Sequence, residues 1–381
     1  MNRRQLLITG TASILIASQA SACAQPQSAY DSWRTLDDAY EDPRMAALAY
    51  AILSPSPHNR QPWLVDLAAD DPNRLTLYPD LGRLLPETDP SNRQILIGLG
   101  AFVEAFSLAA GQQGRSVAIT LFPEGVAVDQ LDARPIAHIT LGEAGTGLSD
   151  PLATFLPERR TNRTKFSDRP VPRDDLLALG TALNSDSGWW GATNDRDDCE
   201  RLRTLCKDGW EIETRLPRTH LESIALTRIG AREIDANPDG ISLSGGMMSA
   251  YAALGILTRD KMKDPNSRAF AGGLDFYNGL IDSAQSFGWL ASQDNSRAGQ
   301  LSAGRDWLRL HLAATRAGIA LQPLSQVLQE FPEMDALYTA LHSHMGVSVP
   351  ARVQGLFRLG YADAPGPSPR WPLHTRLVDL P

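Results

Sequence analysis

A short loop-forming segment carries several side chains that can hydrogen-bond a ligand. Residues 54–63 read SPSPHNRQPW and place the hydroxyl of Ser56 and the amides of Asn59 and Gln61 among three prolines. Proline fixes φ and lowers the entropy that a loop loses when it becomes ordered. We therefore predict a stiff loop that presents polar groups to a ligand, with Trp63 anchored in the core.

A second segment, RRTNRTKFSDRPVP at residues 159–172, is rich in arginine. In an extended chain alternate side chains share a face, which would place Arg159, Thr161 and Arg163 together. Arginine binds phosphate oxygens in pairs through its planar fork, and threonine adds a neutral donor. The spacing predicts a phosphate site, although a solvated basic turn, paired with neighbouring carboxylates, would explain the same residues.

The composition is that of a globular protein. A chain of 381 residues exceeds one typical domain, so two packed domains or one duplicated fold are expected. Apolar residues make up 43% and charged residues 21%, which excludes a long disordered or collagen-like chain. The net charge is -8, and no long cluster of lysine or arginine occurs, so nucleic acid is not an expected partner.

The cysteines and two further motifs do not build a site. On one helix Cys199 and Cys206 would lie about 10 Å apart, too far for a disulfide, so we predict buried apolar residues. His342 and His344 form a His-x-His pair without a third ligand nearby, so no metal site is predicted. The stretch GISLSGG at residues 240–246 lacks the glycine that a serine nucleophile turn needs, and is expected to be a turn.

Residues 1–24 have the layout of a signal peptide. Arg3 and Arg4 resemble the start of a twin-arginine export signal, with the ordinary secretory route as the alternative. The apolar run that follows is shorter than the roughly 20 residues of a transmembrane helix. A strand leading into a nucleotide-binding turn is disfavoured, because only Gly10 is present where such a turn needs several glycines. We predict a periplasmic or otherwise exported protein, with Cys23 as a weaker candidate for lipid attachment.

One helical pattern occurs twice. Residues 100–114 (GAFVEAFSLAAGQQG) and 304–318 (GRDWLRLHLAATRAG) repeat Gly, Leu-Ala-Ala and Gly at the same offsets. Each is followed by a β-like run, a proline turn and another β-like segment. This predicts an α+β fold of two similar halves, residues 37–150 and 151–381, whose central helices pack on each other. A mostly helical stretch at about residues 199–263 lacks a counterpart in the first half, and we interpret it as an inserted lid.

Together these motifs resemble the nitroreductase-like superfamily of flavoproteins. Its members carry an Arg-Arg-Ser-x-Arg motif, a Pro-Ser-x-x-Asn-x-Gln-Pro-Trp loop and a Gly-Ala-rich helix, which match residues 159–163, residues 55–63 and both copies of the repeated helix. The ending LGYADAPGPSPRWPL resembles the superfamily's closing strand and its phosphate-binding arginine, here Arg370. Because the loop precedes the arginine motif and the N-terminus is export-like, the chain most resembles the Acg family of tandem nitroreductase-like FMN-binding proteins.

The resemblance implies one FMN site between the two halves, which would form an intramolecular pseudo-dimer. Homodimeric nitroreductases build each site from both subunits, and this chain has one copy of each motif. The residues that would hold FMN are Pro55, Ser56, Asn59 and Gln61 from the first half and Arg159, Thr161, Arg163 and Arg370 from the second. The flavin carries the chemistry, so no catalytic side chain is predicted. The opposite site is expected to be vestigial and the chain monomeric.

The resemblance supports two main functions. The first is an exported FMN oxidoreductase that reduces nitroaromatic, quinone or similar small-molecule acceptors with electrons from an unidentified donor. The alternative is a protein that sequesters or stores FMN under its lid with little or no turnover. A different reaction on the same fold, such as reductive dehalogenation or flavin breakdown, is a third reading. Pyridine nucleotides are scarce outside the cytoplasm, so an exported reductase is expected to need another donor.

Overall fold

The computed structural model describes residues 28–36 and 39–379. The predicted signal segment at residues 1–24 lies outside the described residues, and so does Cys23. Within the described ranges the chain forms two four-stranded antiparallel sheets and one small two-stranded sheet, with helices between and around them. The predicted α+β class is confirmed.

The first half starts with a capped helix. The Asp42 side chain accepts a hydrogen bond from the backbone N–H of Arg44, and Pro43 occupies the first helical position, where its missing N–H costs nothing. The elements follow in the order α1 (Pro43–Ala51), β1 (Trp63–Leu67), β2 (Arg74–Pro79), α2 (Arg93–Gln112), β3 (Arg115–Leu121) and β4 (Ala137–Ala144). The four strands form a sheet in the order β1-β2-β4-β3.

The second half repeats this order around an insertion. It opens with α3 (Arg173–Ala178) and β5 (Gly188–Thr193). The insertion contains α4 (Arg196–Arg215), α5 (Pro217–Ala225), β6 (Thr227–Ile229), α6 (Gly230–Ala236), β7 (Ile241–Leu243), α7 (Gly246–Ala253), α8 (Arg259–Lys263) and α9 (Arg268–Asp282). The half then continues with β8 (Ser286–Ser292), α10 (Arg297–Arg316), β9 (Ala320–Pro323), α11 (Asp335–His344) and β10 (Arg352–Gly360).

The two large sheets have the same topology. The second sheet has the order β5-β8-β10-β9. When the insertion is left out, β5, β8, β9 and β10 follow one another along the chain as β1, β2, β3 and β4 do. The two sheet orders are then identical. The prediction of two similar halves, made from one repeated helical pattern, is confirmed at the level of the whole fold.

The central helices α2 and α10 cross at two glycines. Both helices have 20 residues, and Gly100 and Gly304 lie at the same distance from the first residue of each. A Cβ atom added at Gly100 would lie 2.0 Å from the carbonyl oxygen of Leu301, and one added at Gly304 would lie 2.1 Å from that of Ile97. Glycine is unfavourable inside a helix, and here it permits a backbone contact that no other residue allows.

Gly304→Ala is expected to lower the free energy of unfolding by about 1–3 kcal/mol, because the added methyl group forces the halves apart. Gly272→Ala is the matched control, since Gly272 is inside helix α9 and an added Cβ meets nothing within 4 Å. That change should stabilise the protein by about 0.5–1 kcal/mol through helix propensity alone. Urea unfolding of the three proteins measures both effects. Equal stabilisation by the two changes would contradict the close crossing.

Helix α2 is long and apolar enough to cross a membrane, as no other helix in the described part of the chain is. Most of it is buried inside the protein, against α1, α10 and the first sheet. Its hydrophobicity is therefore explained by its position between the two halves, which is that of a core helix.

The insertion, which we call the lid, covers α4 to α9. It extends past the predicted bounds of about 199–263, because Ile281 of α9 packs into the same cluster as Cys199 and Cys206 of α4. Both cysteines are buried and unbridged, as predicted. Burial raises the pKa of Cys199 to about 11, so this thiol stays protonated. The lid is therefore one packed unit with its own apolar cluster.

Candidate functional site

The loop at residues 54–63 connects α1 to β1 in an unusual conformation. A single 3₁₀ turn spans Pro57–Asn59, and φ is positive at three positions that are not glycine: 45° at His58, 51° at Asn59 and 52° at Gln61. Such backbone is sterically strained and costs of order 1–3 kcal/mol per residue. It persists only where neighbouring groups hold it. Trp63 is fully buried against Phe102 of α2, which confirms the predicted core anchor.

The polar side chains of the loop are partly committed to protein partners. Asn59 donates from Nδ2 to the carbonyl oxygen of Pro369 at 3.0 Å and accepts from Arg370 Nη1 at 2.7 Å. The fully buried Gln61 donates to the carbonyl oxygen of Pro238 at 2.8 Å and accepts from the backbone N–H of Trp371 at 2.9 Å. Gln61 therefore supports the loop, and its predicted contact with FMN stays a prediction.

The loop is open to solvent only in its middle. Residues 55–59, which include Pro55 and Ser56, are partly exposed, whereas the residues on either side are buried. Ser56 Oγ accepts a hydrogen bond from the backbone N–H of Gln61 at 2.9 Å and still has its own proton to donate. The predicted contacts of Pro55, Ser56 and Asn59 with a ligand are not tested by these distances and stay predictions.

Two of the predicted phosphate-binding arginines lie beneath the loop. The side chains of Arg159 and Arg370 both donate to the carbonyl oxygen of Leu53, at 3.0 Å and 2.9 Å, and Arg370 also donates to that of Ser54 at 3.1 Å. They are 3% and 2% exposed. Burial lowers the pKa of Arg159 to about 9, and burial together with Arg159 and Arg160 depresses the pKa of Arg370. Both remain charged at neutral pH.

Arg163 differs from both. Its side chain is exposed and forms no hydrogen bond or ion pair within the described part of the chain. Desolvation by the surrounding protein nevertheless lowers its pKa, and its charge acts on His58, Arg159, Tyr277 and Arg358. We call the place where these groups meet around Arg163 the cleft. Arg163 is therefore a free cation at the point where the loop, the arginine segment and the lid meet.

The arginine segment is extended only in part. Thr161 makes a single parallel bridge to Leu321 of β9, and its side chain is half-buried. Arg159 points inward and Arg163 is exposed, so the three residues do not share one exposed face as strand spacing predicted. Arg160 stacks on Trp33 at 4.3 Å. Only Thr161 pairs with a strand, so the segment is not a regular strand and its side chains need not alternate.

The cations of this region lack carboxylate partners. None of them lies within 4.0 Å of a carboxylate oxygen in the described residues. The set comprises Arg159, Arg160, Arg163, Lys165, Arg169, Arg358 and Arg370. The alternative of a basic turn paired with Glu158 and Asp168 is therefore wrong. Uncompensated buried charge is strongly unfavourable, so this arrangement calls for an anion.

Two functional neighbours were not found from the sequence. Arg358 of β10 is fully buried and donates from Nε to Gln322 Oε1 at 2.7 Å; burial lowers its pKa to about 10. Tyr277 of the lid helix α9 donates to Gln326 at 3.3 Å and accepts from Gln322 at 3.4 Å. The signal available for Arg358 was a charged residue inside the apolar strand GLFRLG. No comparable signal marks Tyr277.

His58 faces this cleft in its neutral form. Its Nδ1 atom is buried without a hydrogen-bond partner in the described structure. Burial, with Arg163 and Arg60 nearby, lowers the pKa of His58 from 6.5 to about 4. A neutral ring beside two guanidinium groups adds no further positive charge at pH 7. It leaves a ring nitrogen that a ligand can satisfy.

Acidification is expected to destabilise the ligand-free protein through His58. The unfolded state takes up a proton below pH 6.5 and the folded state only near pH 4, so stability falls as the pH drops across this window. We expect His58→Asn, which tolerates a positive φ, to remove about 1–2 kcal/mol of this pH dependence, allowing for partial solvent access. Urea unfolding at pH 7 and pH 4.5 measures it. Parallel pH profiles for the two proteins would contradict the assignment.

The equivalent place in the other half has the opposite charge. There the loop before β5 rests on the buried Asp306 of α10, whose Oδ1 accepts from the backbone N–H groups of Asn184 at 2.9 Å and Ser185 at 3.2 Å. Two arginines close by are fully paired. Glu104 binds Arg305 at 2.8 Å and Arg309 at 3.0 Å. In the described structure, therefore, neither Arg305 nor Arg309 is left without a carboxylate partner for an anion to replace.

A surface cavity lies in another part of the structure. It has a volume of about 660 Å³ and is lined by residues 90–91 and 127–132 together with Glu330. Its ionisable lining groups are the carboxylates of Asp129, Asp132 and Glu330. We place the candidate site in the cleft at Arg163 instead, because unpaired cations and unpartnered polar atoms meet there.

The chain has relatives over most of its length. No family model matches it. It is 28% identical over 348 residues to a Mycobacterium tuberculosis protein named "Putative NAD(P)H nitroreductase acg", covering 88% of this chain and 96% of that one. The uncharacterized protein Rv3127 from the same organism is 25% identical over 339 residues, covering 87% and 91%.

Solved structures with a similar fold include two nitroreductases. The nitroreductase with bound FMN from Bacteroides fragilis has a TM-score of 0.34 and 16% identity, covering 56% of this chain and 90% of that one. The FMN-dependent nitroreductase NfnB from Mycobacterium smegmatis, in complex with NADPH, has a TM-score of 0.33 and 19% identity, covering 56% and 88%. The sequence relationship to the mycobacterial proteins spans both halves and confirms the resemblance to the nitroreductase-like superfamily.

Proposed function

We propose that this chain is an exported FMN-dependent oxidoreductase that reduces nitroaromatic, quinone or similar acceptors. The observation that carries the proposal is the set of cations defined above, Arg159, Arg160, Arg163, Lys165, Arg169, Arg358 and Arg370, none of which has a carboxylate partner within 4.0 Å in the described structure. The phosphate of FMN is a dianion and supplies the missing charge. The sequence relationship to proteins named putative NAD(P)H nitroreductases supports the flavin over other phosphorylated ligands.

The residues present fit this cofactor. Arg163 is free to bind a phosphate oxygen. Two buried nitrogen atoms lack partners, Nδ1 of His58 and Nε of Arg370, and the hydroxyl of Ser56 has a proton to donate. A buried polar atom without a partner costs about 1–3 kcal/mol. These atoms belong to the loop and to the arginine beneath it, and a polar ligand bound there would satisfy them.

The protein's residues have distinct tasks in this proposal. Arg163 holds the phosphate directly, while the buried Arg159 and Arg370 supply a fixed positive field and hold the carbonyl groups that shape the loop. His58 stays neutral and accepts or donates one hydrogen bond. The bound flavin supplies the redox chemistry, taking up electron pairs and passing them on. The lid, through α9, limits the access of water to this cleft.

One cofactor per chain follows from the asymmetry between the halves. On the side of the loop Arg159, Arg163 and Arg370 have no carboxylate partner in the described structure, whereas on the other side Arg305 and Arg309 are neutralised by Glu104 and Asp150. The buried carboxylate of Asp306 adds negative charge there. A single anion site is thus sufficient to explain the charge distribution. We therefore propose that the functional protein is a monomer with one bound flavin.

Export is supported by the signal-like layout of residues 1–24. An exported enzyme meets little NADH or NADPH, so its donor in the cell is proposed to be a different small molecule or redox protein. NADPH is nevertheless the first donor to test in solution, because the solved nitroreductase NfnB was crystallised with it.

The test uses the purified full chain. We expect a yellow protein that retains about one FMN per chain, with the flavin reduced within seconds by an added donor and reoxidised by a quinone or nitroaromatic acceptor. Stopped-flow absorbance measures both half-reactions. Retention of two flavins, or of none after reconstitution, would overturn the single-site proposal. A tightly bound flavin that neither donor nor acceptor reaches would overturn the proposed oxidoreductase activity and favour the alternative of FMN storage.

A further inference from the structure

The strained loop is held from outside by one turn of the lid. Residues 237–240 lie between α6 and β7 and touch the loop twice through the backbone. The carbonyl oxygen of Pro238 accepts from Gln61 Nε2 at 2.8 Å, and the N–H of Gly240 donates to the carbonyl oxygen of Asn59 at 3.4 Å. Both contacts fall on loop residues with positive φ. The lid therefore contributes to holding that conformation.

The lid turn is itself fixed in shape. Gly240 has φ 75°, and a Cβ atom there would lie 2.1 Å from the carbonyl oxygen of Leu226. Only glycine combines this φ with so close an approach to neighbouring backbone. The turn therefore presents the residue before it, Asp239, in one direction.

Asp239 joins three segments of the chain. Its carboxylate has a side-chain exposure of 6%. Oδ2 accepts from Arg83 Nη1 at 2.7 Å and from Arg60 Nη1 at 3.4 Å, and Oδ1 accepts from Arg228 Nη2 at 2.7 Å. Arg60 belongs to the strained loop, Arg83 to the segment after β2, and Arg228 to the lid. One negative charge thus holds together three guanidinium groups that would otherwise repel each other.

We propose that Asp239 is a positioning residue that couples the lid to the loop. When the lid is closed, Asp239 fixes Arg60, which lies between the positive-φ residues Asn59 and Gln61, and keeps the loop in its strained form. When the lid lifts, Arg60 and Gln61 lose their lid partners together and the loop relaxes. The lid turn therefore controls how long the cleft stays formed. In the part that concerns flavin, this inference rests on the proposed function.

The removal of this carboxylate is expected to act locally. Asp239→Asn keeps the size of the side chain but leaves Arg60, Arg83 and Arg228 without their common counter-charge. The nearest remaining carboxylate in the network, Asp80, binds Arg83 at 2.9 Å and Arg376 at 3.3 Å. It does not contact Arg60. Arg60 then keeps only its hydrogen bonds to the carbonyl oxygens of Gly82 and Arg83, at 3.0 Å and 3.1 Å, which supply no counter-charge.

Glu104→Gln is the matched control. Glu104 is a buried carboxylate of α2 with a side-chain exposure of 3%, and it binds two arginines of α10, Arg305 and Arg309. Its loss removes a similar buried ion-pair network without touching lid or loop. Any effect shared by both variants reflects general destabilisation.

Hydrogen exchange in the FMN-free protein tests the coupling directly. The amides of Asn59, Arg60 and Gln61 are hydrogen-bonded within the loop. We expect Asp239→Asn to raise their exchange rates at least about tenfold, the change that 1.4 kcal/mol produces, and Glu104→Gln to leave them unchanged. Unchanged exchange in Asp239→Asn, or an equal rise in both variants, would overturn the proposal.

Flavin release is the second measurement. We expect FMN to dissociate at least about tenfold faster from Asp239→Asn than from the wild type, with the rate unchanged in Glu104→Gln. If Asp239→Asn does not fold, Arg83→Met, which removes one partner and keeps the carboxylate, should show a smaller rise in both readouts. A wild-type protein that binds no FMN would contradict the proposed function, while the exchange rates would still decide the coupling.

Discussion

Arg163→Met is expected to weaken FMN binding about 100-fold, the change that corresponds to about 3 kcal/mol. A hydrogen bond between two charged groups contributes about 1.5–3 kcal/mol, and the guanidinium fork can make two. Arg163 has no protein partner in the described structure, so its loss breaks no internal contact. The fold should therefore be unchanged, and the whole effect should fall on the ligand.

Titration of the reconstituted protein, followed by the quenching of flavin fluorescence, measures this dissociation constant. Arg305→Met is the control, because Arg305 is bound to Glu104 on the side without unpaired cations. We expect that variant to bind FMN as the wild type does. A dissociation constant that is unchanged in Arg163→Met, or that rises equally in both, would show that the phosphate lies elsewhere. The salt dependence of binding should also decrease in Arg163→Met, since one charge contact is gone.

The duplicated fold could be read from the sequence because helix periodicity and glycine spacing survive in both halves. Gly100 and Gly304 are in equivalent positions because each permits the same close crossing of α2 and α10. The requirement for glycine at both crossing points accounts for the repeated pattern in the sequence. The end of the lid could not be located in the same way. Helix α9 extends it to Asp282 through contacts of Ile281 with α4 that are distant in sequence.

The ligand contacts predicted for the candidate site stay a prediction, but its internal geometry could not be read from the sequence. Strand alternation placed Arg159, Thr161 and Arg163 on one face, and it could not distinguish the buried Arg159 from the exposed Arg163. That difference depends on Leu53 and His311, which come from other elements. Asp239 was missed for a similar reason. Its three arginine partners come from separate segments, and nothing near it in sequence indicates that they converge.

Arg159→Met is expected to weaken FMN binding and to stabilise the FMN-free protein. Replacing a buried, uncompensated charge by an apolar side chain of similar length is worth about 1–4 kcal/mol in favourable cases. Little is lost in return, because the carbonyl oxygen of Leu53 keeps its hydrogen bond from Arg370 at 2.9 Å and only the long 3.4 Å contact of Arg159 with His311 Nδ1 is removed. The positive field at the phosphate falls, so we expect binding to weaken about tenfold or more.

Arg370→Met removes the same charge from the same place but should have the opposite effect on stability. In the described structure the Ser54 carbonyl oxygen and Asn59 Oδ1 have no donor besides Arg370, so its loss leaves both unsatisfied, at about 1–3 kcal/mol each. Urea unfolding without FMN should therefore rank Arg159→Met above the wild type and Arg370→Met below it, while both variants bind FMN more weakly. If both variants were equally destabilised, Arg159 would be a structural residue. Its unpaired charge would then not destabilise the FMN-free protein. The ranking that we expect identifies Arg159 as a residue whose charge destabilises the empty protein and is retained for binding.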